Sequence, residues 1–505
     1  MMKLEKTTPS AIGSLCGKYA AQGYRLQTMV GTDERAHAGG YVLRYVFVDE
    51  AAQKTVECRA DIPANEPSYS SATPFLPAAD WYEREVFDLL GLLPVDHPQL
   101  EPLVLHGERP TGQYPLRKDF DIGTVLPPVT RVVKPAALPG GYFEVPVGPI
   151  HAGVIEPGHF RFTVKGEQVE KLAARLFYTH RGLEKRAEGM SLTDGLQIAE
   201  QACGVCSVSH ALSYAQAVEY MADISIPSKA VWIRVVLAEL ERLYNHVGDV
   251  GNICAGVGFS FGSVQGARLK EQLQQLNHHL VGHRFLRGAV VVGGTARDFR
   301  GAHGDRIRST LGRLTPEFSA LVDAVLSHEV VCDRFRNAGV LSRERALQLG
   351  VVGPSARASG IGRDARADTP YGGYAQLAVS VPTYPQGDVM ARLEQRIAEF
   401  FTSVSLISEA LRRLDAFVPE KSDGLSAPLP PIEPFRYGIG VSESPRGENV
   451  HFVMAGEQGS VERLRIRSAS YANWPAVPLA AVDNVIADFP LINKSFELCY
   501  ACCDR

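Results

Sequence analysis

From Tyr41 the chain reads YVLRYVFVD, β-branched and aromatic residues in alternation, and TVECRADI (55–62) repeats the alternation as a hairpin partner. A helix over about 8–22 precedes this pair. The stretch AADWYEREVFDLLGL (78–92) has an acidic start, apolar residues at helical spacing and a glycine stop, the marks of a second helix. Pro and Gly crowd residues 121–145, which predicts a linker. VGPIHAGVIEPGHFRFTVKGEQV then predicts two short strands and a turn. Beyond it helical periodicity takes over, at 167–188, 193–222, 227–253, 264–284, 303–329, 342–349 and 386–414. The 227–253 segment is apolar on more than one face, as expected of a helix enclosed in a bundle. After the Pro-rich APLPPIEPF, a β-like hairpin over 435–467 leads into the tail. These patterns predict an α+β protein: a small N-terminal α+β domain (1–122), a linker (123–145), and a mostly α-helical large domain with small β elements (146–505).

Composition narrows this picture only a little. A chain of 505 residues with 45% hydrophobic and 21% charged content can bury a large core in two or three domains. A formal net charge of -4 argues against a general nucleic-acid or membrane-surface binder. The apolar GAVVVGG (288–294) falls far short of the roughly 20 residues that span a bilayer, and MMKLEKTTPS lacks a signal-like apolar segment. A cytoplasmic protein is expected, with any membrane attachment through partners. Nine cysteines, an odd number, argue against a disulfide framework. Cys16, Cys58, Cys254 and Cys332 are isolated and read as small buried hydrophobes.

The other five cysteines are clustered. EQACGVCSVSH gives Cys203-x-x-Cys206-x-x-x-His210, and ELCYACCDR gives Cys499-x-x-Cys502 followed by Cys503. Two residues between thiols let both sulfurs turn toward one metal, and a helix starting after the first cysteine would favour thiolates. Four thiolates brought together suit zinc, an iron-sulfur cluster or another thiophilic metal. A zinc ribbon draws its pairs from nearby sequence, and a thioredoxin-type role needs a βαβ context that neither pair has.

Further motifs accompany these pairs: DWYEREVFDLLGL and YPLRKDF in the first domain, and EPGHFRF, FYTHRGLEK, RASGIGRDARAD, SPRGENVH and SYANWP in the second. With them the chain resembles the catalytic large subunit of group 4 nickel-iron hydrogenases, the membrane-associated, formate-hydrogenlyase or energy-converting type. In these a complex I 30 kDa-like domain is fused to a 49 kDa-like catalytic domain. The resemblance implies a nickel-iron centre with CO and cyanide on the iron, Cys203 and Cys499 as terminal nickel ligands, and Cys206 and Cys502 as bridges. It implies interconversion of H2 with protons and electrons, H2 evolution in particular, and the Cys499 thiolate as proton acceptor. His210 matches a histidine bonded to a bridging thiolate, against the plain reading of a core histidine. Arg446 matches an arginine over the open metal position, against a turn arginine paired with Glu443 or Glu448. Glu184 matches an acidic residue near the site, against an exposed pair with Lys185 or Arg181. Glu156 is a proton-path candidate, against a turn residue. The charge run Arg363, Asp364, Arg366, Asp368 reads as a loop held against a partner or lining the proton route.

The implied partners are a small subunit with a 4Fe-4S cluster, a ferredoxin-like iron-sulfur subunit and complex I-like membrane subunits, placing the chain peripherally on the cytoplasmic side of the inner membrane. A magnesium or iron ion near the C-terminus is implied too. Glu497-Leu498 stands where the family has Asp-Pro, Gln201 where it has arginine, and Cys503 is an added thiol. Many members lose a C-terminal extension after the position of Arg505. The rival expectations are a metal-free complex I-like electron-transfer or coupling subunit, and a scaffold with zinc on the four thiolates.

Overall fold

The computed structural model describes residues 2–107, 112–125, 138–153, 155–417 and 424–505. Residues 126–137 of the expected linker lie outside this set. In the N-terminal region Gly40–Asp49 and Lys54–Pro63 pair antiparallel as the alternation predicts. Two strands were not legible: Lys3–Thr7, parallel to Lys54–Pro63, and Arg25–Glu34, antiparallel to Gly40–Asp49, completing a four-stranded sheet. The first helix is Ile12–Ala21, and Asp80–Leu90 ends at Gly91, whose φ of 73° only glycine adopts freely.

The expected helix over 167–188 is a correction. Gln168–Arg175 is a strand in a three-stranded sheet with Tyr142–Val147 and His159–Lys165, and the helix is only Leu183–Ala187. Pairing with His159–Lys165, with Val169 and Leu172 buried, overrides the helix propensity of QVEKLAAR. The 193–222 helix is likewise interrupted: Gly195–Glu200 and Ser207–Ala222 flank a loop that carries both cysteines. The remaining long helices follow the pattern, Ser228–Gly256, Ser260–Val281, Ala302–Leu326 and Val389–Asp415. Ser228–Gly256 lies at the centre of the bundle and is buried along most of its length. Where it crosses Ser260–Val281, a Cβ on Gly266 would stand 2.7 Å from the Gly251 Cα, so two glycines let the backbones meet. The 435–467 hairpin gains a third strand: Tyr437–Ser444, Gly447–Ala455 and Val461–Arg467.

The two regions are joined along the strand Arg25–Glu34, the edge of its sheet. Arg463, Arg465 and Arg467, alternate residues of Val461–Arg467, donate Nε hydrogen bonds to the carbonyls of Gly31 (3.2 Å), Met29 (3.3 Å) and Gln27 (2.8 Å). The period of two in both strands matches donors to the carbonyls an edge leaves open. One apolar cluster continues from the N-terminal sheet, through Val56 and Leu89, to Phe162, Trp474 and Tyr500.

Glu448 completes the seam, accepting from Arg25 (3.0 Å), Gln27 (3.0 Å) and Arg467. Burial alone would raise its carboxyl, but Arg25 and Arg467 draw it down to about 2 from 4.5. A depressed carboxylate adds stability that is complete above its unfolded pKa and lost as pH falls through the folded one. Glu448 is expected to contribute about 3 kcal/mol above pH 4.5, lost progressively toward pH 2. Unfolding midpoints measured against pH in the wild type and in Glu448→Gln should converge over that window.

Candidate metal centre

The two cysteine pairs are presented by different local devices. Cys206 is the N-cap residue of Ser207–Ala222, so the helix begins after the second cysteine, not the first. Its first amides are capped from outside: Val208 N–H (2.6 Å) and Ser209 N–H (3.1 Å) donate to Glu241 of the central helix, whose carboxyl burial pushes up to about 8. At the C-terminal pair a helix does begin after the first cysteine. Phe489–Phe496 ends at Glu497 with φ 53°, and Cys499 caps Tyr500–Asp504, its Sγ accepting from the Cys502 N–H at 3.3 Å. The Cys499 N–H is held by Ser470 Oγ at 3.0 Å.

These devices bring together all four sulfurs. Cys203, Cys206 and Cys502 are buried with their sulfurs within 4.8 Å of one another, and Cys499 Sγ lies 3.6 Å from Cys203 Sγ. All nine cysteines are free, and Cys499 alone is only partly buried. Burial opposes ionisation at Cys203, yet bonds from the other three thiols and the Arg446 charge more than offset it and favour the thiolate there. Soft sulfur donors in a dry pocket suit a thiophilic metal and fit the implied nickel-iron centre. Cys503 points elsewhere: it is fully buried in the apolar cluster with Phe496 and Tyr500, and burial raises its thiol.

His210 Nε2 lies 3.3 Å from Cys502 Sγ, and its Nδ1 lies 3.4 Å from His451 Nε2. Burial lowers it to about 4, so the ring is neutral near pH 7. His210→Ala is expected to weaken metal retention at the cysteine cluster about 10–100-fold, with Cys502 left without its partner; the metal-to-protein ratio after dialysis reports it.

Arg446 sits in the turn before Gly447–Ala455 and is not paired with Glu443 or Glu448. Its Nε donates to the Glu497 carbonyl (2.5 Å), Nη1 to Asn245 Oδ1 (2.7 Å), and Nη2 lies 3.8 Å from Asp249 Oδ1. The Cys206 and Cys203 charges are among the groups that stabilise its cation. Glu497, the departure from Asp-Pro, turns its carboxylate to Asn252 and so stays beside this arginine.

Glu184 is neither exposed nor paired with Lys185 or Arg181. It is buried and accepts from Arg463 (2.8 Å), Arg465 (3.1 Å), Arg505 (2.9 Å) and the Ile466 N–H (3.0 Å). Burial opposes its ionisation, but the three arginines hold it far below the usual carboxylate range. Glu156 is half-buried and close enough to Tyr500 to act with burial in raising that phenol. Gln201, at the usual arginine position, offers its backbone carbonyl to Arg181 Nη1 at 2.9 Å.

The run at 363–368 is held inside this chain. Arg366 is buried on Glu239 (3.0 Å) and Asp364 (2.7 Å), and Arg357 joins Asp364 to Glu399 and Glu443. Glu239, Arg242, Asn245, His246, Asp249 and Glu399 were not singled out in sequence. For those on Ser228–Gly256 a signal was there, Glu239, Arg242, His246 and Asp249 recurring three and four apart, whereas Glu399 lies on Val389–Asp415.

Among the described residues, the carboxylates around the C-terminus, where a magnesium or iron ion is implied, are already engaged. Both oxygens of Glu184, of Glu85 and of Asp504 already accept hydrogen bonds from protein groups. Among the described residues the one cluster able to hold a metal is the cysteine group.

Residues 6–125 match the respiratory-chain NADH dehydrogenase 30 Kd subunit model, 181–249 the nickel-dependent hydrogenase model, and 257–436 and 433–505 the NADH dehydrogenase 49 Kd subunit model. The chain is 36% identical to formate hydrogenlyase subunit 5 of Escherichia coli (strain K12), over 96% of this chain and 86% of that protein. It is 34% identical to hydrogenase-4 component G of the same strain, over 95% and 84%. Membrane-bound hydrogenase subunit alpha of Pyrococcus furiosus is 31% identical over 72% and 88%. A chain of the archaeal membrane-bound sulfane sulfur reductase shares the fold, with a TM-score of 0.67 at 24% identity, over 73% of this chain and 100% of that one.

Proposed function

The chain belongs to the catalytic large subunits of group 4 nickel-iron hydrogenases, the formate hydrogenlyase type, and from that premise we propose a role for each part of its site. It is an oxidoreductase that interconverts H2 with protons and electrons. The observation that carries the site reading is the convergence of Cys203, Cys206, Cys499 and Cys502. In this reading Cys203 and Cys499 would hold the nickel, Cys206 and Cys502 would be shared between nickel and iron, and the iron would carry CO and cyanide. When bound, that pair supplies heterolytic cleavage of H2. The protein's part is positioning. Arg446, fixed by Asn245 and the Glu497 carbonyl, holds a permanent positive charge beside the sulfurs. Cys499, the least buried of the four, takes the proton, and Glu156 beside Tyr500 lies on the outward route.

Residues 1–122 serve as the 30 kDa-like domain and 146–505 as the catalytic domain, joined by 123–145. No helix among the described residues is long and apolar enough to cross a membrane. The relatives' names place them in hydrogenlyase and membrane-bound hydrogenase assemblies. By analogy this chain works with a small subunit bearing a 4Fe-4S cluster, a ferredoxin-like iron-sulfur subunit and complex I-like membrane subunits, on the cytoplasmic side. Metal analysis and infrared spectroscopy of the purified complex test the reading. Nickel and iron with bands of metal-bound CO and cyanide are expected; one zinc per chain without those bands would overturn it.

A further inference from the structure

We infer that the cation beside the C-terminal tail is the guanidinium of Arg505 itself, in place of a divalent ion, and that Glu85 of the N-terminal domain thereby positions the Cys499/Cys502 half of the metal site. The assignment of that half-site to the metal rests on the function proposed above. The lock itself rests on contacts alone.

Four of the five N–H groups of the Arg505 guanidinium have acceptors. Nη1 donates to Glu184 Oε1 (2.9 Å) and the Ile466 carbonyl (2.8 Å), Nη2 to Glu85 Oε2 (2.8 Å), and Nε to the Cys503 carbonyl (3.2 Å). Its flat face lies over Tyr471, 4.7 Å from the ring centroid. This is the planar, multi-donor recognition that arginine alone provides. A hard divalent ion needs about six oxygen ligands. Here it would have to displace guanidinium groups from carboxylates whose oxygens already accept from them. The carboxylates are already matched by cations as well, because Glu85 and Glu184 face three arginines, Arg463, Arg465 and Arg505.

The consequence reaches the cysteines because Arg505 lies three residues beyond Cys502. Tyr500–Asp504 is five residues long, too short to hold helical form unaided, so its place depends on what grips it. Asp504 is held by the Phe177 and Thr179 amides, the Arg505 carbonyl by the Arg181 amide (2.6 Å), and the Cys502 carbonyl by Ser468 (2.9 Å). All these grips come from the catalytic region. Among the described residues, Glu85, on Asp80–Leu90, is the one hydrogen-bonding partner of the tail that comes from the N-terminal domain. It also accepts from Arg465, which reaches Glu184, so the two carboxylates and two of the arginines close a ring around the tail. Glu85 and Arg505 are positioning residues: neither touches a sulfur in these contacts.

The test compares the purified complex as wild type, Glu85→Gln, Glu85→Asp and Arg505→Lys, reading amide hydrogen exchange over 499–505, nickel per chain, and magnesium after dialysis against chelator. Glu85→Gln is expected to speed exchange in the tail about tenfold or more and to lower nickel, with the 40–63 hairpin as protected as in wild type. Glu85→Asp should recover part of both, and Arg505→Lys, which keeps charge but loses the fork, should resemble Glu85→Gln. No stoichiometric magnesium is expected. Wild-type protection and nickel in Glu85→Gln, or one magnesium per chain whose removal frees the tail, would overturn the inference. If Glu85→Gln unfolds the hairpin too, the Glu85→Asp and Arg505→Lys comparison decides. A wild-type complex devoid of nickel would count against the proposed function, while tail exchange would still judge the lock.

Discussion

Cys502→Ser is expected to bring bound nickel and H2 turnover to background, whereas Cys503→Ala, one residue on, keeps both. The two thiols are neighbours in sequence with opposite surroundings. Cys502 Sγ is grouped with Cys203 and Cys206 and faces His210 Nε2 at 3.3 Å. Exchanging it for a hydroxyl removes a soft donor from the set, and a serine oxygen is a poor substitute toward nickel or low-spin iron. Cys503 lies in the apolar cluster, so truncation costs about 1–2 kcal/mol of packing and no ligand. Nickel per chain by mass spectrometry and H2/D2 exchange separate the two. Full nickel in Cys502→Ser would remove that residue from the ligand set, and loss in Cys503→Ala would place the wrong cysteine in it.

The same neighbourhood shows what a single sequence discloses. The C-x-x-C spacings announced two half-sites, because pairing thiols on one turn is a local property. That they meet, with Cys203 and Cys499 separated by 296 residues, is decided by the packing of the tail against Ser468, Ser470 and Thr179, which no local period encodes. The long helices were legible because their apolar repeat is their packing face. QVEKLAAR was not, since its partner strand decides its state. VERLRIR alternates as a strand should, and the usual inference puts its arginines in water. Instead Arg463, Arg465 and Arg467 are buried against the edge of the N-terminal sheet. In GRDARAD the charge pattern suggested a surface or partner role for the same reason. The opposite charges that neutralise it come from elsewhere in the chain: Glu239 pairs with Arg366, Glu50 with Arg363, and Arg357 with Asp364.

Arg357→Met is expected to destabilise the protein by about 3–5 kcal/mol, more than most single changes in its apolar core. Arg357 is fully buried and is shared by Glu399 (2.8 Å), Glu443 (3.0 Å) and Asp364 (3.3 Å), with the Arg363 carbonyl at 2.7 Å. Methionine fills much of the volume but leaves these carboxylates facing one another in a medium of low dielectric. Arg242 and His246 still reach Glu399, at 3.5 Å and 3.0 Å, so that carboxylate keeps some compensation. Glu443, already raised to about 7 by burial and by Asp364, loses its closest cation. Removing the carboxylate along with the arginine should therefore recover part of the loss: Arg357→Met/Glu443→Gln is expected to be less destabilised than the sum of the two single variants. Denaturation midpoints of the four proteins give the coupling. The run continues from Glu399 through His246 to Asp249 (3.8 Å) and from there to Arg446 (3.8 Å), so loosening it also loosens the residue beside the metal site. Turnover in Arg357→Met should fall with nickel content unchanged, because the cysteines are gripped by other groups. A variant that unfolds normally, or one whose double mutant is simply additive, would show that Arg357 is not the hub of this network.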